Sequence, residues 1–246
     1  MGIDMENISC HVERHVEASC PGHGCTARRT TSDLYLVVVD WDGYLTRRQD
    51  MRITGKATNE KILTVARQLI ARRGYSNFSY ADVSEAVAVH KASIHHHYPT
   101  KSSLGMAVTH YSQKIFEADM AAIAKDKPDP AEQLQAYLDY WEYTLIHDPE
   151  LFCVAGMLGA EVPFLENEVA QAVGEYFVSI TGWLEKVLAA GASTGSLHLK
   201  EPVEDEAAAL VSLVYGAVLV ARGSRNPAHY KQATRAALAR LKGTSV

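Results

Sequence analysis

The chain has 246 residues, enough to bury a full core as one domain or two small ones, and its 47% hydrophobic and 22% charged residues fit an ordinary soluble globular protein. No N-terminal stretch combines a basic start, an apolar run and a small-residue cleavage site. The longest apolar run, Ala207 to Ala221, is too short at 15 residues to span a bilayer. Export and membrane insertion are not expected, and a cytoplasmic location is. The net charge of −5 is unevenly spread: residues 51–101 carry eight Lys/Arg against three acidic groups, whereas residues 102–246 carry eleven against eighteen. A small basic module joined to a larger acidic one implies that only the first meets a polyanion.

In chain order, residues 1–52 read as an extension that is disordered or precedes a true start at Met51. It holds three of the four cysteines, no sustained helical period and one strand-like run, Leu34 to Val39. Cys10, His11, His15, Cys20, His23 and Cys25 are residue types that suit zinc, but their spacing matches no closed Cys/His pattern. From Thr58 the pattern becomes helical. Ile62, Leu63, Ala66, Leu69 and Ile70 recur at helical spacing behind a Thr58 cap, and Gly74 stops the helix after Arg72 and Arg73. Ser79 caps a second, short helix, with Asp82 completing a capping box. Ala88-Val89-His90 turns tightly into a third helix that buries Ile94 and Tyr98 and ends at Pro99. Two short helices joined by a three-residue turn and braced by a longer one spell helix-turn-helix.

The remainder reads as helical throughout, so the expected fold is all-α: a three-helix reader over residues 53–103 and a larger helical domain over 104–242. Leu104, Val108, Tyr111 and Ile115 form one stripe, ended by Pro128-Asp129-Pro130. Leu134, Tyr137, Leu138, Trp141 and Leu145 form the next. A short segment from Glu150 to Glu161 precedes a long helix that ends in a Gly191–Gly195 loop, and a final pair spans Glu201 to Ser224 and Pro227 to Leu241.

The run "HKASIHHHYPTK" invites a metal reading. Consecutive helical residues point about 100° apart, and a helical zinc pair needs i, i+4 spacing, so His95, His96 and His97 do not converge on one ion. No metal or cofactor is expected, and no enzyme. Facing double-stranded DNA, the same residues make sense: Lys91 and Ser93 bond base edges or backbone, and imidazoles donate to phosphate oxygens. The alternative is a solvated face with His97 packed inward beside Tyr98.

The stretch "FSYADVSEAVAVHKASIHHHYPTKSSL" resembles the DNA-binding module of the TetR family of transcriptional regulators. Position by position, the resemblance implies DNA contacts at Tyr80, Lys91, Ser93, His95 and His96, with His97 and Lys101 on phosphates. Two residues depart from the family pattern: His95 stands where tyrosine is usual, and Ala88 replaces the usual turn glycine. The resemblance also implies that residues 104–242 bind a small-molecule effector and form a homodimer. Tyr137, Trp141, Phe152, Met157, Phe177 and Trp183 supply an aromatic lining for a concave apolar site. The segment "CVAGMLGAE" is similar to that of a NemR-like subgroup in which a cysteine here senses electrophiles, which points to Cys153, with His147 nearby in sequence.

Ala207 to Ala221 is apolar all round and has to be covered on more than one side. Leu210, Val214, Ala217 and Ala221, beside Ala233, Ala237, Leu238 and Leu241, are expected to form a four-helix interface across a two-fold axis. The leading expectation is a dimeric repressor released from a palindromic operator by a small molecule or electrophile. The alternatives are an activator or global DNA binder of the same build, and a helical metal-dependent hydrolase.

Overall fold

The computed structural model describes residues 55–148 and 150–244, with side-chain surroundings from Thr58 onward. The extension and its six zinc-type residues, Cys10 to Cys25, lie outside the described residues. Within them every regular element is helical: α1 (Gly55–Arg73), α2 (Tyr80–Val87), α3 (Lys91–His97), α4 (Lys101–Asp126), α5 (Pro130–His147), α6 (Val154–Glu161), α7 (Asn167–Thr194), α8 (Val203–Gly223) and α9 (Ala228–Leu241), with a 3₁₀ turn at Val162–Phe164.

Local chemistry sets most of these ends. Ser79 and Asp82 form the expected box on α2, and Thr100 with Ser103 forms a second on α4. Asp129 caps α5 and Pro130 takes its first turn, where the missing N–H costs nothing. Helix α1 begins at Gly55, so Thr58 lies inside it and is not its cap. The apolar period that locates the helix reports only its buried stretch, and the helix runs past it. The expected Gly191–Gly195 loop is also helix, up to Thr194, and Gly195 closes it at φ +78°. Gly191 serves close packing: a Cβ there would lie 2.5 Å from Leu197, which folds back against the helix.

The core has two apolar clusters. One holds α1, α2 and α3 together through Ile62, Ile70, Phe78, Val83 and Ile94, and continues through Leu104 and Val108 into Val154, Leu158, Val169 and Val173. The start of α4, one side of α6 (Val154 and Leu158) and the first turns of α7 therefore pack on the reader helices. The other cluster joins α5, α7, α8 and α9 around Leu134, Tyr176, Leu184, Val214 and Tyr230.

Helix α8 corrects the expected interface. Leu210, Val214, Ala217 and Ala221 are buried in the chain's own core, as are Leu238 and Leu241 of α9, whereas Ala233 and Ala237 of the expected set stay half-buried. The outward stripe is instead Ala209, Ser212, Gly216, Leu219 and Val220, with Leu219 62% and Val220 54% exposed. A helix apolar on all sides carries no phase in its sequence, so periodicity cannot say which stripe faces inward.

Candidate nucleic-acid interface and sensor cluster

The turn between α2 and α3 rests on Ala88, which takes a left-handed conformation at φ 57°, ψ 45°. The Val89 N–H then donates to the Ser84 carbonyl at 3.2 Å, and the Ser84 hydroxyl returns a bond to the Val89 carbonyl at 2.6 Å. At the other end of α2, the Asp82 carboxylate accepts from the Ser79 hydroxyl and the Ser79 N–H. These bonds hold its proton affinity below that of an ordinary aspartate.

Helix α3 is pinned from behind. Ile94 is fully buried, and Tyr98, buried beyond the last turn, donates its hydroxyl to Asn59 of α1 at 2.6 Å. Lys91, Ser93, His95, His96 and His97 all stand exposed on the outer side, so His97 is not packed inward as the alternative had it. The imidazoles of His96 and His97 lie 5.5 Å apart at a steep angle, over a shallow groove lined also by Thr58, Ala92 and Ser93. Among the described residues, no group of three or more His, Cys, Asp or Glu side chains is placed to hold a metal ion.

Tyr80 and Lys101 sit differently from the exposed row. The Tyr80 hydroxyl points at the carbonyls of Tyr98 (2.7 Å) and Thr100 (2.6 Å), and its ring lies 4.5 Å from the His95 imidazole. It therefore braces the end of α3 and sets where His95 stands. The Lys101 ammonium lies 4.7 Å from the Tyr75 ring centre and 4.8 Å from that of Phe78. Burial makes it give up its proton more readily than a free lysine, against the pull of Glu161, Glu166 and Asp82.

The aromatic residues singled out in the sequence do come together. Tyr137, Trp141, Phe152 and Cys153 are buried, with Met157, Phe177 and Trp183 half-buried around them. Ring contacts run from Trp183 to Tyr137 (5.1 Å) and from Trp141 to Phe152 (6.3 Å). They continue from Phe152 to Tyr215 (6.0 Å) and from Tyr215 to Phe177 (5.1 Å). The Tyr215 hydroxyl donates to Cys153 Sγ at 3.1 Å. Tyr215 belongs to α8, inside the stretch that reads by sequence as an apolar run. Arg222, also of α8, lies over Phe152 at 5.2 Å and donates to the Glu150 carbonyl at 3.1 Å. His147, near Cys153 in sequence, is exposed and stacks 4.0 Å from Tyr143.

Sequence periodicity could not reveal what joins this cluster to the reader. Glu161, the last residue of α6, accepts from the N–H groups of Tyr75 (2.8 Å) and Ser76 (2.9 Å) and from the Ser76 hydroxyl (2.5 Å). Gly74 permits that approach, because a Cβ there would collide with the Glu161 carboxylate. Tyr75 in turn donates to Glu166 at 2.9 Å, and Arg72 makes a two-pronged pair with Asp148.

A pinned helix with a free polar face, entered by a tight turn from a capped helix, defines a helix-turn-helix DNA-binding protein. The sequence model of the "Bacterial regulatory proteins, tetR family" matches residues 62–108. A TetR-family transcriptional regulator from Agrobacterium tumefaciens is 38% identical in sequence. Its structure superposes with a TM-score of 0.73, covering 77% of this chain and all of that one. The regulator CymR of Pseudomonas putida is 28% identical over 138 residues, 55% of this chain and 68% of that protein. The reduced form of Escherichia coli NemR shares the fold at a TM-score of 0.66 and 22% identity, over 73% of this chain and 95% of that one. The chain belongs to the TetR family and is a DNA-binding transcriptional regulator. Among the described residues, no helix is long and apolar enough to cross a membrane.

Proposed function

We propose that this regulator is a homodimeric repressor that leaves a palindromic operator when a small molecule, or an electrophile acting at Cys153, occupies the cluster between α5, α7 and α8. Residues 53–103 read the DNA and residues 104–242 sense and dimerise. Lys91, Ser93, His95 and His96 meet base edges, His97 and Lys101 meet phosphates, and Tyr80 positions the row. Members of the family bind DNA and small-molecule effectors and act as dimers, which supports this division of labour.

The observation that carries the reading is the span of α6. Cys153, among the aromatic side chains, stands just before its first residue, and Glu161 at its end holds the loop that leads into α2. A ligand that shifts α6 therefore pulls on the reader directly. The outward stripe of α8 supports the dimer: small residues at 209, 212 and 216 allow close helix approach, and Leu219 and Val220 supply apolar contact.

Fluorescence anisotropy tests the reading, using the duplex upstream of this protein's own gene against a scrambled duplex at about 150 mM salt, where non-specific binding is weak. Tight binding to the native duplex alone, with two half-sites about 34–36 Å apart or a near multiple of that, is expected. Equal binding to both duplexes would contradict it.

A further inference from the structure

The carbonyls of Tyr98, Pro99 and Thr100 follow the end of α3, and two side chains divide them. The Tyr80 hydroxyl is shared between those of Tyr98 and Thr100, at 2.7 and 2.6 Å. The carbonyl between them, that of Pro99, lies 3.3 Å from His95 Nδ1. A carbonyl oxygen only accepts, so the nitrogen that faces it carries the proton. The Tyr80 ring packs against the imidazole at 4.5 Å and restricts its swing. A hydrogen bond and a ring contact thus select one tautomer of His95. His96 and His97 differ. Their rings meet each other at 5.5 Å and His97 meets Tyr98 at 6.4 Å, and among the described residues neither ring makes a hydrogen bond.

With Nδ1 protonated, the second nitrogen of the neutral imidazole is an acceptor. His95 is exposed, and its Nε2 makes no hydrogen bond among the described residues. A duplex gives such a nitrogen few partners. Phosphate oxygens only accept, as do guanine N7 and O6 and thymine O4 in the major groove. The donors there are the exocyclic amino groups of adenine and cytosine. Lys91, one helical turn earlier and also exposed, carries donors only and suits the opposite set.

We infer that His95 selects one base pair of each half-site through the exocyclic amino group of its adenine or cytosine. Nε2 accepts from that group, while the Pro99 carbonyl and the Tyr80 ring hold the imidazole in the accepting tautomer. The inference rests on α3 lying in the major groove and names the chemistry that one of its residues reads there.

The test begins with selection from a random duplex library by the full chain at about pH 8, where imidazoles are ordinarily neutral. It is repeated with His95→Ala and with His95→Lys, whose ammonium only donates. One position of each half-site is expected to become indifferent in His95→Ala and to change to another base pair in His95→Lys. Binding to single duplexes then isolates the amino group. Purine in place of that adenine, or 2-pyrimidinone in place of that cytosine, removes it. The wild type is expected to lose about threefold to tenfold in affinity, the net worth of one neutral hydrogen bond. His95→Ala is expected to lose nothing further. A histidine that merely ties down the end of α3 would instead lower the melting temperature in His95→Ala and weaken all sites alike. That outcome, or an amino-free duplex that wild type binds as tightly as the native one, or an equal loss in wild type and His95→Ala, would overturn the inference. In each case α3 stands as the reader so long as the wild type still selects a site. A wild type that selects no site would sink both.

Discussion

Ala88 occupies a backbone conformation that a Cβ disfavours by about 1–2 kcal/mol. Ala88→Gly is expected to stabilise the protein by about 1 kcal/mol, read as a rise in urea midpoint with an unchanged slope. The outer row of α3 behaves differently. Alanine at Lys91 or His95 is expected to alter base preference, each lost base contact costing about 1–3 kcal/mol in binding titrations across operator variants. Lys101→Ala should weaken all sequences alike and flatten the salt dependence. Because its ammonium lies on two rings, this substitution should also lower thermal stability, by about 0.5–2 kcal/mol. Much of this site was legible in the sequence: the Ser79–Asp82 box, the turn at Ala88 and the inward Ile94 all follow from spacings under five residues. The bracing role of Tyr80 was not, since the carbonyls it holds lie 18 and 20 residues away.

Helix α6 matters more than its eight residues suggest, because it ends on backbone donors of the reader. Glu161→Ala leaves the Tyr75 and Ser76 N–H groups without that acceptor. It is expected to cut the coupling between effector and operator, typically worth 1–3 kcal/mol, with helical content by circular dichroism retained. The comparison to make is operator affinity with and without effector in the two proteins. A second element contact predicts an acid response. The Glu206 carboxylate, 3% exposed, accepts both prongs of Arg240 at 2.7 and 2.6 Å, and that bond holds its proton affinity below the ordinary 4.5. Its stabilisation is therefore fully present above about pH 4.5 and is lost as the pH falls through the lower folded value. Glu206→Gln should flatten the fall of urea midpoint in that acid range. Helix existence was readable in the sequence almost everywhere, but not helix ends. Gly191 reads as a break in the sequence, because a glycine's use in close packing depends on a neighbour, Leu197, that the sequence alone does not position.

At the level of the whole molecule, the interface prediction shifts with the exposed stripe. Leu219→Asp together with Val220→Glu is expected to yield monomers by sedimentation equilibrium at low micromolar concentration. The operator affinity of the pair should drop with dimerisation, whereas Val214→Ala should cost folding stability, roughly 1–3 kcal/mol, without changing the oligomeric state. The fold class and the place of the reader were readable because helical periods and a rigid motif are local. The face of α8 was not, because a helix without a polar side has no sequence phase. The apolar cluster that runs from Ile62 through Ile94 into Leu158 and Val173 has a further bearing on how such regulators are built. The reader is not a portable cassette. A chimera cut after residue 103 would carry the DNA-facing row to a new host but leave behind Val154, Leu158, Val169 and Val173, the floor on which it stands. Grafts that keep the recipient's own α6 and α7 should work only where those side chains match in volume, so exchange of specificity within the family is governed by packing far from the DNA.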